Sequence, residues 1–147
     1  MEFKKIPFQK LSLQQLYDIL QLRSEVFVVE QDCVYQDIDN YDQIAMHVLA
    51  YDKNILVAYA RILPPKTYFK ETSIGRVITK ETHRKQNLGH KLMQECIAYI
   101  EDAFTDKTVK ISAQQYLIKF YKKNGFIPKG EGYLEDGIPH ISMYRNP

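Results

Sequence analysis

Residues 88–100 carry Leu88, Leu92, Cys96 and Ile100 at strict four-residue spacing, with Met93 and Ile97 alongside. At helical periodicity these side chains share one face, and a face so apolar has to be buried. Directly before it stand a β-branched run, Ile74 to Thr79, and a polar, basic segment, Lys80 to Gln86. This strand, basic turn and amphipathic helix constrain the chain more than any other stretch. The first backbone N–H groups of a helix lack internal partners, and the helix dipole adds partial positive charge there. Arg84, Lys85, His90 and Lys91 add donors around that end. On these residues alone a phosphate or pyrophosphate site and a plain strand–helix connection with a solvated basic face fit equally well.

A chain of 147 residues fits one domain, 1–147, and can bury a core. Lys plus Arg exceeds Asp plus Glu by 20 to 18, so overall charge supplies no argument for nucleic acid. The opening residues, MEFKKIPFQKL, lack the apolar region of a signal peptide, and no run approaches a membrane span. Cys33 and Cys96 lie far apart, with no CxxC spacing and no Cys/His cluster, so no metal is expected. The expectation is a cytoplasmic protein with reduced thiols and neither nucleic acid nor membrane as partner.

In chain order, residues 2–8 predict a short strand ended by Pro7. Ser12 with Gln15 is a capping-box pair. The helix that follows places Leu13, Leu16, Leu20, Arg23 and Phe27 on one side. Arg23 interrupts that stripe and is expected to snorkel to solvent, the alternative being that it reaches into a site. Residues 32–43 are acidic and turn-rich and read as a loop, with Asp32, Asp37, Asp39 and Asp42 either solvated or attracting a cation. Residues 44–51 and 55–63 predict an antiparallel hairpin around Asp52-Lys53-Asn54. His47 and Arg61 interrupt these strands, and a lone strand histidine is ordinarily structural. Val109 to Ala113 reads as a strand, and residues 114–124 as a short helix closed by Gly125. Residues 126–127 and 131–135 suggest an irregular strand, and Asp136-Gly137 turns the chain into a last strand, Ile138 to Tyr144. The pattern predicts an α/β (α+β) three-layer domain, a mixed sheet with helices on both faces.

Several separated stretches carry a resemblance. Arg76-Val77-Ile78-Thr79 followed by Arg84-Lys85-Gln86-Asn87-Leu88-Gly89 resembles the R/Q-x-x-G-x-G/A coenzyme A loop of the GNAT superfamily of N-acetyltransferases. Phe120 to Phe126, FYKKNGF, resembles that family's FY-x-x-x-GF element. LRSEVFVVEQDCVYQDID (22–39), AYARIL (58–63) and EDGIPHISM (135–143) are similar to its ElaA-type subgroup. The chain departs from the loop pattern at Asn87, which stands where the first glycine is expected. Asn tolerates the left-handed region better than other non-glycine residues, so the turn is expected to survive.

The resemblance implies the GNAT three-layer fold with a mostly antiparallel sheet, and an acetyl-CoA-dependent N-acetyltransferase acting on a primary amine by direct attack. It implies that Val77, Ile78 and Thr79 hold the pantetheine arm and supply the oxyanion donor. Arg84, Lys85, Gln86, Asn87, Leu88, Gly89 and His90 would hold the pyrophosphate, with Gln114 beside the pantetheine. Tyr121 matches the family's general acid, which protonates the coenzyme A sulfur. Glu30, His140 and Glu25 are candidate bases, each also readable as a structural hydrogen-bonding residue; His140 is a candidate because an imidazole titrates near neutrality. The acceptor amine, on a small molecule or a protein, stays unidentified, and a homodimer is compatible with the sequence. Two alternatives remain. One is a coenzyme A-binding sensor without turnover. The other is an acyltransferase with a different acyl donor, since VFVVEQ is distantly similar to the acyl-homoserine lactone synthases.

Overall fold

A computed structural model describes residues 1–147. Strands β1 (Glu2–Pro7), β2 (Met46–Asp52), β3 (Ile55–Leu63) and β4 (Ser73–Thr79) form an antiparallel sheet in sequence order. The β2–β3 link is the two-residue turn Lys53-Asn54, with φ of 49° and 69°. Two successive left-handed residues make a type I′ turn, whose twist matches that of the flanking strands. The second sheet contains β5 (Val109–Gln114), β6 (Ile127–Pro128), β7 (Tyr133–Glu135) and β8 (Ile138–Arg145), with β8 pairing all three others. Asp136 and Gly137, at φ of 52° and 77°, make the same kind of turn between β7 and β8.

The sheets meet at one place. Thr72 bridges Val109 in parallel, and Lys110 N–H donates to the Thr72 carbonyl at 2.9 Å. Beyond that bridge β4 pairs only with β3 and β5 only with β8. Two parallel strands that part in this way leave facing backbone edges without ladder partners, which opens a cleft. The sheet is thus mixed but mostly antiparallel, as expected.

Helix α2 (Leu88–Ala103) buries Leu88, Leu92, Met93, Cys96, Ile97 and Ile100 against both sheets, from Val48 and Ala60 across to Ile111 and Met143. Helix α1 (Leu13–Arg23) and the π-helical turn that continues it, Ser24–Glu30, cover the opposite face of the first sheet. There Ile19, Leu22 and Val26 meet Leu49, Tyr59 and Ile78. Strand alternation sends Val48 to one core and Leu49 to the other. Burying a side chain of this size contributes roughly 1.5–3 kcal/mol, so each layer is held mainly by these contacts. The Ser12–Gln15 capping box forms as read, with reciprocal bonds of 2.9 and 3.0 Å. Helix α3 (Ile118–Lys123) is shorter than the sequence suggests, because residues 115–117 form a 3-10 turn. Gly125, at φ 90°, closes α3 with Phe126 N–H bonded to Tyr121 O and Gly125 N–H to Lys122 O, a Schellman cap. No helix is long and apolar enough to cross a membrane.

Two sequence expectations fail together. Leu13 is 88% exposed, while Arg23 is fully buried beside Ile19, Leu22 and Val26. The inward face of α1 is rotated from the expected stripe because Arg23 points in rather than out. Its guanidinium donates to Asp37 Oδ2 at 2.9 Å, to the Asp37 carbonyl at 3.1 Å and to Asp42 Oδ1 at 2.7 Å. Arg61 shares Asp42 at 2.9 Å and also takes Asp39. Arg76 closes the set on Asp37 Oδ1 at 2.7 Å. A guanidinium inside a protein must have its N–H groups matched. The supposedly solvated acidic loop supplies that match for all but Arg61 Nε, because Asp37 and Asp42 are themselves buried. His47 is structural as read: its Nε2 donates to the Asp42 carbonyl at 2.9 Å and its Nδ1 accepts from Tyr59 Oη at 2.6 Å.

Removing one member of a buried ion pair strands the others. Asp42→Ala is expected to cost about 3–5 kcal/mol in urea unfolding. Acid should act on the same cluster. Burial alone would raise the Asp39 pKa, but hydrogen bonds and charge from Arg61, with help from Tyr41 N–H and Arg76, outweigh it and hold the carboxyl at about 2. A depressed carboxylate stabilises the fold above its unfolded pKa and loses that contribution as pH falls. Stability should therefore decline between roughly pH 4 and pH 2, and Asp39→Asn should flatten that segment of the acid-unfolding curve.

Candidate active site

The cleft between β4 and β5 holds a cavity of about 410 Å³. On the β4 side, Ile78 pairs with Tyr59 and Gly75 with Arg61, so Arg76 and Val77 together oppose Ala60. This is a bulge, and Arg76 takes φ 51° within it. A bulge swings backbone groups out of the ladder. Arg76 is held there by Asp37 and by Asp39, the latter at 3.3 Å. Val77, Ile78 and Thr79 all line the cavity. The Ile78 side chain packs in the α1 cluster and Val77 against the α2 core, so the strand offers its backbone to the cleft.

The turn after β4 places Arg84 at the cavity wall. Its Nε donates to the Thr79 carbonyl at 3.0 Å, and its two Nη groups grip Glu30, one at 2.9 Å. The hydrogen bonds and charge of Glu30 push the already high pKa of Arg84 further up. Lys85, Gln86 and Asn87 are exposed around the mouth of the turn. Asn87 adopts φ 62°, ψ 16°, the left-handed conformation expected of a glycine substitute, and its side chain does not cap α2. The first N–H groups of α2 therefore keep the donor capacity of a helix N-terminus. Leu88 is in the core, so only its backbone can serve a ligand. Gly89 lets α2 approach α3: a Cβ there would meet the Phe120 ring at 3.1 Å. His90 accepts from Asn124 Nδ2 at 3.0 Å and lies 4.8 Å from the Phe120 ring, which makes it a brace between α2 and α3.

On the opposite wall Gln114 donates to Gln31 at 3.4 Å, while its Oε1 is buried with no partner. A buried acceptor without a donor carries a desolvation cost, and an amide N–H such as those of pantetheine would satisfy it. Tyr121 lines the same cavity from α3, 7% exposed, between the edges of Phe120 and Phe126 at 5.0 and 5.9 Å. Burial pushes its phenol pKa up, so the hydroxyl is neutral at pH 7.

The candidate bases are distributed unevenly. Glu25 lies outside this cavity and pairs with Lys80 at 3.1 Å. Glu30 lines it, held by Arg84. His140 also lines it and is buried, with Nδ1 donating to the Ile138 carbonyl at 2.6 Å and Nε2 facing Glu135 at 3.3 Å. Sequence reasoning passed over Glu135 and Ser112 as site residues. The signal for them was register: alternate residues of β5, β7 and β8 share the cleft face, with Tyr133 opposite His140 and Glu135 opposite Ile138.

Known proteins resemble this chain over most of its length. A family model described as "Acetyltransferase (GNAT) domain" matches residues 9–146. Protein ElaA of Escherichia coli K12 is 45% identical over 146 residues, covering 98% of this chain and 95% of the relative. The crystal structure of Escherichia coli ElaA superposes with a TM-score of 0.93 at 44% identity, covering 99% of each chain. An acyl-CoA N-acyltransferase from Pseudomonas aeruginosa gives 0.93 at 40% identity, also covering 99% of each. The coenzyme A-dependent acyl-homoserine lactone synthase BjaI shares the fold alone, at TM-score 0.77 and 17% identity, covering 97% of this chain and 80% of that one.

An anion entering the turn has to compete with Glu30 for Arg84. Glu30→Gln is therefore expected to tighten coenzyme A binding several-fold, read by isothermal titration. Weaker binding would show that Glu30 helps to build the turn instead.

Proposed function

Because the chain belongs to the GNAT family of acetyltransferases, in its ElaA-type subgroup, we propose that it transfers an acetyl group from acetyl-coenzyme A to a primary amine by direct attack. The observation that carries this reading is the divergence of β4 and β5 around one cavity that is lined by both the bulged strand and Tyr121. Pantetheine lies along the β4 edge, where Val77, Ile78 and Thr79 expose backbone, and Gln114 Oε1 accepts one of its amide N–H groups. The pyrophosphate sits over the N–H groups of residues 85–90, with Arg84 turning from Glu30 to meet it.

An alkylamine has a pKa of about 10.4, so it arrives mostly as ammonium and must lose a proton before attack. The free amine then adds to the thioester carbonyl. The oxyanion that forms is met by backbone N–H at the β4 bulge, where a donor fixed in advance lowers the barrier. Collapse breaks the C–S bond. Tyr121 gives its proton to the departing thiolate and takes up the surplus proton on nitrogen, so the one proton released is that lost by the ammonium before attack. A phenol held neutral by burial keeps the proton that the thiolate needs.

General acid catalysis typically contributes 10²–10⁴-fold, so Tyr121→Phe is expected to lower kcat by about that factor with coenzyme A affinity nearly unchanged. Thiol release from acetyl-coenzyme A across an amine panel measures it. Tight cofactor binding with no turnover on any amine would favour a sensor, and turnover restored by longer acyl groups would favour another donor.

A further inference from the structure

We infer that Glu135 is the residue that receives the ammonium group of the acceptor. This rests on the acetyltransfer reading for the identity of the cavity, and it adds the side chain that selects the substrate.

The charges lining the cavity can be accounted for one by one. Two guanidiniums line it, and each has carboxylates of its own: Arg84 holds Glu30, and Arg76 holds Asp37 and Asp39. Glu30 is a poor receiver for an amine, because its charge is already matched by the Arg84 guanidinium that it binds through both oxygens. His140 is occupied as well, since one nitrogen donates to a backbone carbonyl and the other faces a carboxylate. Asp136 is exposed at the left-handed position of the β7–β8 turn. Glu135 is placed differently. Its Oε1 accepts from Ser112 Oγ at 3.2 Å, and Ser112 is in turn bonded to Tyr133 Oη at 2.5 Å. Its Oε2 lies 3.3 Å from His140 Nε2, and the side chain is 40% exposed. A carboxylate has about four lone-pair sites, so one contact on each oxygen aims the group while leaving acceptor capacity for a ligand.

Position supports the same role. Ser112, Gln114, Glu135, Ile138 and His140 line the cavity from one face of the second sheet, opposite the β4 bulge. An ammonium carries three donors on a compact charge, which matches a carboxylate with free lone pairs. Ile138, Phe27 and Val26 line the same space with apolar surface suited to an aliphatic arm. Proton balance then closes. The ammonium gives one proton to Glu135 and attacks as a neutral amine, and Glu135 releases that proton to water. Tyr121 protonates the thiolate and recovers a proton from the nitrogen. Net, one proton is released for each amide formed.

The test is binding, which does not depend on turnover. The coenzyme A-loaded protein is titrated with n-butylamine, and separately with n-butanol as the uncharged isostere, while backbone amide shifts are followed by NMR. The expected result is that n-butylamine perturbs residues 112, 133–138 and 140. Its affinity should drop at least tenfold in Glu135→Gln, with n-butanol binding unaltered and coenzyme A affinity unchanged, which also reports folding. Ser112→Ala, which frees the carboxylate to swing but keeps its charge, should weaken the amine less. The inference is overturned if n-butylamine does not bind there, or binds Glu135→Gln as well as the parent. Ammonium binding at Glu135 without thiol release on any amine would retain this inference and reject acetyl transfer. Thiol release insensitive to Glu135→Gln would do the reverse. A lysine peptide with a blocked N-terminus, run beside n-butylamine, separates a protein side chain from a free amine as the source of the ammonium.

Discussion

The arrangement depends on a cluster of buried charge: Arg23, Arg61 and Arg76 interleaved with Asp37, Asp39 and Asp42. The three arginines come from different elements and the three carboxylates from a single loop. Arg23 lies at the end of α1, Arg61 on β3 and Arg76 on the β4 bulge, and the carboxylates come from the loop between α1 and β2. Such clusters are weak sources of net stability, because desolvating the ions offsets most of their attraction. Their effect is on arrangement. With one carboxylate shared by Arg23 and Arg76, the loop, the helix end and the strand bulge can be satisfied only together.

That coupling reaches the cleft. Arg76 holds a backbone conformation uncommon for a non-glycine residue, and its side chain is tied to Asp37 and Asp39. Such strain persists where surrounding contacts over-determine it, and here they do. The bulge in turn leaves Val77 off the β3 ladder beside the cavity. The same loop reaches the far wall, where the buried Cys33 thiol donates to the Asp136 carbonyl at 3.4 Å, next to Glu135. A residue expected to snorkel from a helix thus helps to fix both sides of the site.

Much of the frame was legible because it rests on local chemistry. The Leu88–Ile100 stripe, the Ser12 capping box, the Gly125 helix stop and the two left-handed turns at Lys53-Asn54 and Asp136-Gly137 each depend on residues within a few positions. Asn87 was legible in the same way, since Asn can take the left-handed backbone that a glycine would otherwise supply. The inward turn of Arg23 was not, because its partners lie 14 and 19 residues away in a loop that reads as solvated. Glu135 was missed for a related reason. Its neighbours Ser112 and His140 are set by strand register, and an acidic residue before a turn looks like surface.

By itself the sequence determined the kind of elements, their order, the basic turn into α2 and, through its resemblance to a family, where a coenzyme A site is to be expected. Propensity, capping and periodicity act over short range, so one chain is enough to read them. Only the tertiary structure decided where β4 and β5 part, which carboxylates are committed to arginines and which line the cavity without one. Those outcomes follow from the requirement that buried charge be matched across distant segments, and that requirement takes effect only once the segments have packed.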